Sequence, residues 1–292
     1  MERYWTFFFK KNNYFNVLVK QLSYLHNQYF CYNSGMLLAI DIGNSSINIG
    51  FFDRTDLPRT LKIPTHPKRP GGVYKNKIHD FLSKNHMETA IRGAIISSVV
   101  PDLTEKVCNA ARDLGAKHPF VVSASLPAGL TYGVEKPEEI GSDRIANIVA
   151  ASELFGSPVL VVDFGTATTI TALKNREFLG GAILPGIELM SNCLKKGTAK
   201  LPKVDLVPGD GQVPPHAMGK NTTMCILSGI IYGTAGAVER LIYEMELGES
   251  CRFKVVVTGG NSFIMRGVLS RDFSLDPDLT LKGLRLIHER NI

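Results

Sequence analysis

Leu37-Leu38-Ala39-Ile40-Asp41-Ile42-Gly43-Asn44-Ser45-Ser46 is an apolar run that ends in Asp-x-Gly and a cluster of small polar residues. Val159-Leu160-Val161-Val162-Asp163-Phe164-Gly165-Thr166-Ala167-Thr168-Thr169 repeats that design later in the chain. Each is followed by a second strand-like run, Ile47 to Phe52 and Ile170 to Leu173, so each reads as a β-hairpin with a glycine-bearing turn. A buried strand that delivers a carboxylate, followed by a turn of N–H groups and hydroxyls, suits phosphate and its cation. Two copies predict two related half-domains closing on one nucleotide.

Working outward, the chain alternates strands and helices. The pattern predicts a strand at Arg59–Pro64, a helix at Val73–Lys84, a buried strand at Ala94–Val100 and a helix from Pro101 to Leu114, stopped by Gly115. Another strand follows at Phe120–Ser123. A helix at Asp143–Phe155, N-capped by Ser142, carries Ile145, Ile148, Val149 and Leu154 at helical spacing, and a domain boundary falls within it. The second half predicts a strand at Phe178–Leu184, a helix from Ile187 to Lys196 and a Pro- and Gly-rich loop from Lys200 to Gly219. A long helix from about Thr222 to Glu246, a strand at Phe253–Val257 and a terminal helix from Leu279 complete it. Such alternation argues for α/β layers with mixed sheets.

Composition narrows the class. The 292 residues suit two domains. The formal charge of +6 sums 33 basic against 27 acidic residues, and the first 35 residues alone contribute +3, which leaves too little excess to argue for nucleic acid. Five scattered cysteines without a C-x-x-C pair read as reduced thiols in a cytosolic protein. Residues 1–35 hold 11 of the 25 aromatic residues but no sustained apolar stretch, because Lys10-Lys11-Asn12-Asn13 interrupts it. They read as an extension outside the fold, with Met36 as a natural start, and neither as a signal peptide nor as a membrane span. An amphipathic membrane-surface anchor is the competing reading.

Candidate chemistry follows from the residue types. A single Asp closing a strand reads equally as a cap for its own turn. The matched pair Asp41 and Asp163 favours a cation role, since buried carboxylates are costly without partners. Gly43 and Gly165 would let backbone N–H groups approach phosphate, and Ser45, Ser46, Thr166, Thr168 and Thr169 add hydroxyls. No P-loop and no dinucleotide-binding glycine fingerprint is present, and Thr258-Gly259-Gly260 is a third glycine turn suited to a flat base. Gly141-Ser142-Asp143-Arg144 opens a helix where negative charge is favoured; there Asp143 could accept a proton from an alcohol and Arg144 could bind a carboxylate or carbonyl. Gly219-Lys220-Asn221-Thr222 is a further anchor or a simple capping turn. Metal-spaced histidines and a nucleophile elbow are both missing, which disfavours zinc hydrolysis and acyl transfer.

Taken together, Asp41-Ile42-Gly43-Asn44-Ser45, Gly141 to Arg144, Asp163 to Thr169, Gly180-Gly181-Ala182-Ile183-Leu184-Pro185-Gly186, Leu201-Pro202, Gly219 to Thr222 and Asp278 to Leu284 resemble the type III pantothenate kinases. That family belongs to the acetate/sugar kinase–Hsp70–actin superfamily, and the resemblance runs from Met36 nearly to Ile292. It implies two ribonuclease H-like (actin-like ATPase) domains with mixed sheets flanked by helices, at 36–146 and 147–292. It implies ATP-dependent phosphorylation of pantothenate, the first step of coenzyme A synthesis, in a cytoplasmic homodimer with substrate at the subunit interface. The resemblance assigns Asp41, Ile42, Gly43, Asn44, Ser45, Ser46, Ile47, Asn48 and Thr166 to ATP, and Gly141, Ser142, Asp143, Arg144 and Thr222 to pantothenate. It makes Asp143 the catalytic base and Asp163 the ligand of a monovalent cation, K+ or NH4+, with Mg2+ accompanying ATP. This chain departs from the family in carrying Ser45 where Thr is usual, and Val134 where a tyrosine is usual, with Tyr132 close by. Another small-molecule kinase, an accessory transcription factor and an actin-like filament protein are the alternatives on the same superfold.

Overall fold

A computed structural model of the chain describes residues 35–53, 58–87, 89–205 and 215–292. The expectations for residues 1–34 and for part of the Lys200–Gly219 loop fall outside them.

The predicted duplication is present as topology. Strands β1 (Met36–Ile42), β2 (Ser46–Phe52), β3 (Arg59–Pro64), β4 (Ile91–Ser98) and β5 (Phe120–Val121) form one sheet in the order β3-β2-β1-β4-β5. Strands β7 (Val159–Phe164), β8 (Ala167–Lys174), β9 (Glu177–Pro185), β10 (Lys254–Thr258) and β11 (Ser274–Leu275) form the second in the matching order β9-β8-β7-β10-β11. In both, the first three strands pair antiparallel and the last two join parallel to the central strand. The sequence revealed neither β11 nor another two-residue strand, β6 (Thr131–Tyr132), which adds itself parallel to β9.

Helices fill both outer faces and the space between the sheets. Helices α1 (Gly71–Lys84) and α2 (Pro101–Asp113) cover one face of the first sheet, where Tyr74, Ile78, Leu103 and Val107 meet Leu38, Ile40, Ile49 and Phe51. Helices α4 (Ile187–Gly197), α5 (Thr222–Glu249) and the one-turn α6 (Ser262–Met265) cover one face of the second. The layer between is α3 (Ser142–Phe155) and α7 (Leu279–Glu289). Ile145, Ala146 and Val149 of α3 pack with Ala39, Phe52 and Ile95 of the first sheet, together with Leu281, Leu284 and Ile287 of α7. Ile148, Ala150 and Ala151 turn the other way, onto Val159, Val161, Phe178 and Val256 of the second sheet. A helix apolar on both sides must be enclosed on both sides, and burying each such aliphatic side chain contributes roughly 1.5–3 kcal/mol. Leu154, expected to share this packing, is 45 % exposed at the last turn.

Gly141, not Ser142, is the N-cap of α3. Ser142 is the first helical residue, and its hydroxyl instead accepts from Ser98 N at 2.9 Å and lies 2.9 Å from Ser97 Oγ, tying the helix start to β4.

Candidate active site

Strand register places the first acid. Asp41 sits opposite Asn48 on β2 and Ser97 on β4, and Asn48 in turn sits opposite Lys62 on β3. Directly opposed residues project to the same face, so Lys62, Asn48, Asp41 and Ser97 form a polar row across four strands, on the face that looks toward the second sheet. Asn48 and Ser97 both hydrogen-bond the Asp41 carboxylate. Asp163 occupies the equivalent place in the second sheet, opposite Thr169 on β8 and Thr258 on β10.

The two hairpin turns meet. Ser45 Oγ and Thr166 Oγ1 lie 2.8 Å apart. Thr65 braces the first turn, donating through Oγ1 to Gly43 O at 2.7 Å and through its N–H to Ser45 O at 3.1 Å. The glycine N–H groups expected to face phosphate are used inside the turns themselves: Gly43 N donates to Ser46 O and Gly165 N to Ala167 O. A two- to three-residue reversal needs that bond to close, so the turns offer hydroxyls rather than these two N–H groups.

Asp143, in the first turn of α3, lies between the two acids. Burial, then the Asp143 charge, push Asp41 up to about 7, with Asp163 adding to the effect. Burial and the same Asp143 charge push Asp163 to about 7. Burial also raises Asp143, opposed by the Arg144 N–H, which donates to Asp143 Oδ1 at 2.8 Å, and by the Arg144 charge. Three carboxylates from β1, β7 and α3 therefore share one region, and the Asp143 charge disfavours ionisation of the other two, as expected where a cation or polyanion–cation pair is to be bound.

The other expected residues are placed less centrally. Arg144 turns to the second sheet: Nε donates to Thr171 Oγ1 at 2.9 Å, and the guanidinium stacks 5.4 Å from the Phe178 ring centre. Thr222 opens α5 on the exposed surface, and Asn221 caps that helix by accepting from Met224 N at 2.9 Å. Tyr132 is held by the pairing of β6 with β9; its ring lies 6.1 Å from that of Phe178 and its hydroxyl is buried without a partner among the described residues. Val134 packs near Gly180.

Four residues were given no site role by the sequence reading: Ser97, Asn147, Thr280 and Lys62. Asn147 Nδ2 donates to Asp163 Oδ2 at 2.9 Å, and Thr280 Oγ1 donates to Asn147 Oδ1 at 2.7 Å. Asn147 had a signal, being the one polar side chain in Ile145–Ala151, and a buried polar group implies a partner. Lys62 Nζ, without an ion pair among the described residues, reaches the Gly259-Gly260 turn and lies 3.9 Å from where a Cβ on Gly260 would stand.

Comparison with known proteins identifies the family. The family model for type III pantothenate kinase matches residues 37–244. A type III pantothenate kinase of Moorella thermoacetica is 38% identical over 258 residues, covering 88% of this chain and all of its own length. One of Roseiflexus sp. is 41% identical over 260 residues, covering 88% of this chain and 99% of its own. Among solved structures, a protein described as a Baf family transcriptional activator from Campylobacter jejuni superposes with a TM-score of 0.54 at 22% identity, covering 87% of this chain and 98% of its own. The activator of the 2-hydroxyisocaproyl-CoA dehydratase from Clostridium difficile, with bound ADPNP, gives 0.52 at 12% identity, covering 88% and 94%. At such identities these likenesses establish the actin-like α/β fold and nothing further.

Proposed function

The chain belongs to the type III pantothenate kinase family, and from that premise we propose that it transfers the γ-phosphoryl group of ATP to the primary alcohol of pantothenate. The observation that supports this most is the meeting of Asp41, Asp143 and Asp163 beside the touching turns of Ser45 and Thr166.

Phosphoryl transfer asks the protein for positioning and charge control more than for covalent chemistry. On this reading the first turn, Asp41 to Asn48, and Thr166 hold the triphosphate, and Lys62 sets a positive charge beside it. Asp143 stands at a helix N-terminus and takes the proton of the attacking hydroxyl; its shift toward neutrality brings it nearer the range where a base works. Gly141, Ser142 and Arg144 shape the acceptor side, with Arg144 anchored by Thr171 and Phe178.

The donor set suits hard cations. The three acids share a region, but among the described residues no three His, Cys, Asp or Glu side chains are close enough to hold one ion; each acid would serve as one oxygen ligand, the rest coming from phosphate, backbone or water. Asp163 would hold K+ or NH4+, and Asp41 would face Mg2+–ATP. Such ions supply neutralisation of the charge that builds on the transferring group.

A second copy of the chain completes the reading. The α5 helix is long and apolar enough to cross a membrane, but Ile226, Ile230, Ile231, Val238 and Ile242 bury one side of it in the second core. Its surface also exposes Met224, next to the opening residue Thr222, and Tyr232, Tyr243 and Leu247 farther along the helix. A homodimer closed over this surface would bring Thr222 to the acceptor, in a cytoplasmic enzyme.

The test is ADP release with pantothenate, N-acetylhexosamines or acetate as acceptor, with and without K+. Turnover with pantothenate alone, stimulated by K+, is expected. Turnover with another acceptor, or with none, overturns the assignment.

A further inference from the structure

Asn147 is 1 % exposed and follows Asp143 by four residues, so both lie along one side of α3. Its amide is used at both ends: Nδ2 donates to Asp163 Oδ2 at 2.9 Å and Oδ1 accepts from Thr280 Oγ1 at 2.7 Å. The carboxylate fixes which end is which, because when ionised it only accepts; the hydroxyl, able to donate or accept, then gives its proton to Oδ1. Thr280 comes from α7, close to the end of the chain. It reaches Asn147 because α3 and α7 touch through their backbones: a Cβ on Gly283 would stand 1.9 Å from Ala146 O. On the other side of the same carboxylate, Asp163 Oδ1 lies 2.3 Å from where a Cβ on Gly259 would be. Asn147 thus holds the acid directly, with Thr280 behind it and the Gly259 backbone close against Oδ1.

We propose that Asn147 and Thr280 are positioning residues for phosphoryl transfer, whose hydrogen-bonded chain commits Asp163 Oδ2 inward and presents Oδ1 to the ligand. This rests on the phosphotransferase reading above. A carboxylate has two equivalent oxygens and a soft terminal torsion; one directed donor selects between them. A flipped amide would set carbonyl oxygen against carboxylate oxygen; with Nδ2 facing the carboxylate, the Thr280 hydroxyl donates to Oδ1 and holds the amide there. Burial keeps water from replacing either bond, so losing a partner leaves a polar atom unpaired rather than rehydrated. Asp41 is held differently, by Asn48 and Ser97 of its own sheet. The brace from a terminal helix belongs to Asp163 alone among the three acids.

Thr280→Val and Thr280→Ser separate positioning from packing, since valine keeps the shape and serine keeps the hydroxyl. Thr280→Val should lower kcat by about tenfold or more, with KM for pantothenate within about twofold and an unfolding temperature only a few degrees below the parent's, the cost of the amide oxygen left unpaired. Thr280→Ser should recover kcat to within about threefold. Asn147→Ala should lose at least as much as Thr280→Val. A Thr280→Val enzyme with parental kcat, or a serine variant as impaired as the valine one, overturns the proposal. Should the parent fail to phosphorylate pantothenate, the functional reading falls separately. The brace is then read from the rise in unfolding temperature on adding Mg2+–ATP, which Thr280→Val should diminish and Thr280→Ser preserve; an equal rise in parent and valine variant overturns it.

Discussion

Ser45 Oγ and Thr166 Oγ1, 121 residues apart in sequence, lie 2.8 Å from each other. They are the tips of two hairpins with the same design in two sheets with the same strand order, so the contact joins the two copies of a duplicated unit. Both hydroxyls are exposed, and an exposed neutral hydrogen bond adds at most about 1 kcal/mol to stability. The contact therefore says more about what sits there than about what holds the fold. Ser45→Ala and Thr166→Ala should each leave the unfolding temperature within about 2 °C, while raising KM for ATP by roughly fivefold to tenfold as one phosphate-facing hydroxyl is lost. Steady-state kinetics and a melting curve on the same preparations check both halves.

Asp143→Asn should reduce kcat by at least about a hundredfold, the usual contribution of a positioned base. Mg2+–ATP binding, followed by calorimetry, should persist. Near-normal turnover would remove Asp143 from the role.

The ionisation of Asp41 carries a stability prediction. Its carboxyl moves from the ordinary 3.8 to about 7 on folding, chiefly through burial and then through Asp143. Between those values the folded state binds the proton more tightly than the unfolded chain, so stability falls as pH rises through the window, and the full cost is present above about 7. Asp41→Asn removes that cost. The ligand-free variant should therefore unfold at higher temperature than the parent at pH 8, by something on the order of 2 kcal/mol after coupling and screening are discounted. The difference should shrink toward zero near pH 4, and an equal difference at both pH values would contradict the assignment.

Gly259 combines φ +95° with a Cβ position 2.3 Å from Asp163 Oδ1 and 2.7 Å from Phe164 N. Gly259→Ala should destabilise by about 1–3 kcal/mol for the backbone strain, and it should displace the acid as well. Its loss of kcat should exceed that of Gly72→Ala, where the added methyl meets nothing within 4 Å.

Lys62 points at the same turn from the opposite sheet. Lys62→Met should raise KM for ATP by about tenfold, the worth of one charge-assisted bond, while changing kcat little. An unchanged KM across 50–200 mM salt would leave Lys62 as a solvated surface cation.

The repeated apolar run ending in Asp-x-Gly was legible because strand, turn and acid are contiguous. That local pattern carried Asp41, Asp163, both hairpins and the two-sheet architecture. Helix ends were legible where glycine marks them, as at Gly115 and Gly156, both with positive φ. The cap at Ser142 was misread because a serine at a helix start has two uses, and a contact 44 residues away on β4 decided between them. The turn glycines were misread for a related reason: their N–H groups close the turn before any ligand can claim them. The strand pattern gave no sign of β6, since two residues carry no periodicity.

The sequence by itself determined which of the longer strands form, where their acids stand and which family the motifs resemble, because those features depend on neighbours within a few residues. Only the tertiary structure decided that α3 and α7 lie between the two sheets. That placement sets Asp143 between Asp41 and Asp163, and it lets Asn147 and Thr280 hold Asp163. The physical reason is that a buried polar bond joins whichever side chains packing brings within 3 Å, and packing at Gly283 against Ala146 depends on two helices 137 residues apart in number, a relation that no local pattern of residues encodes.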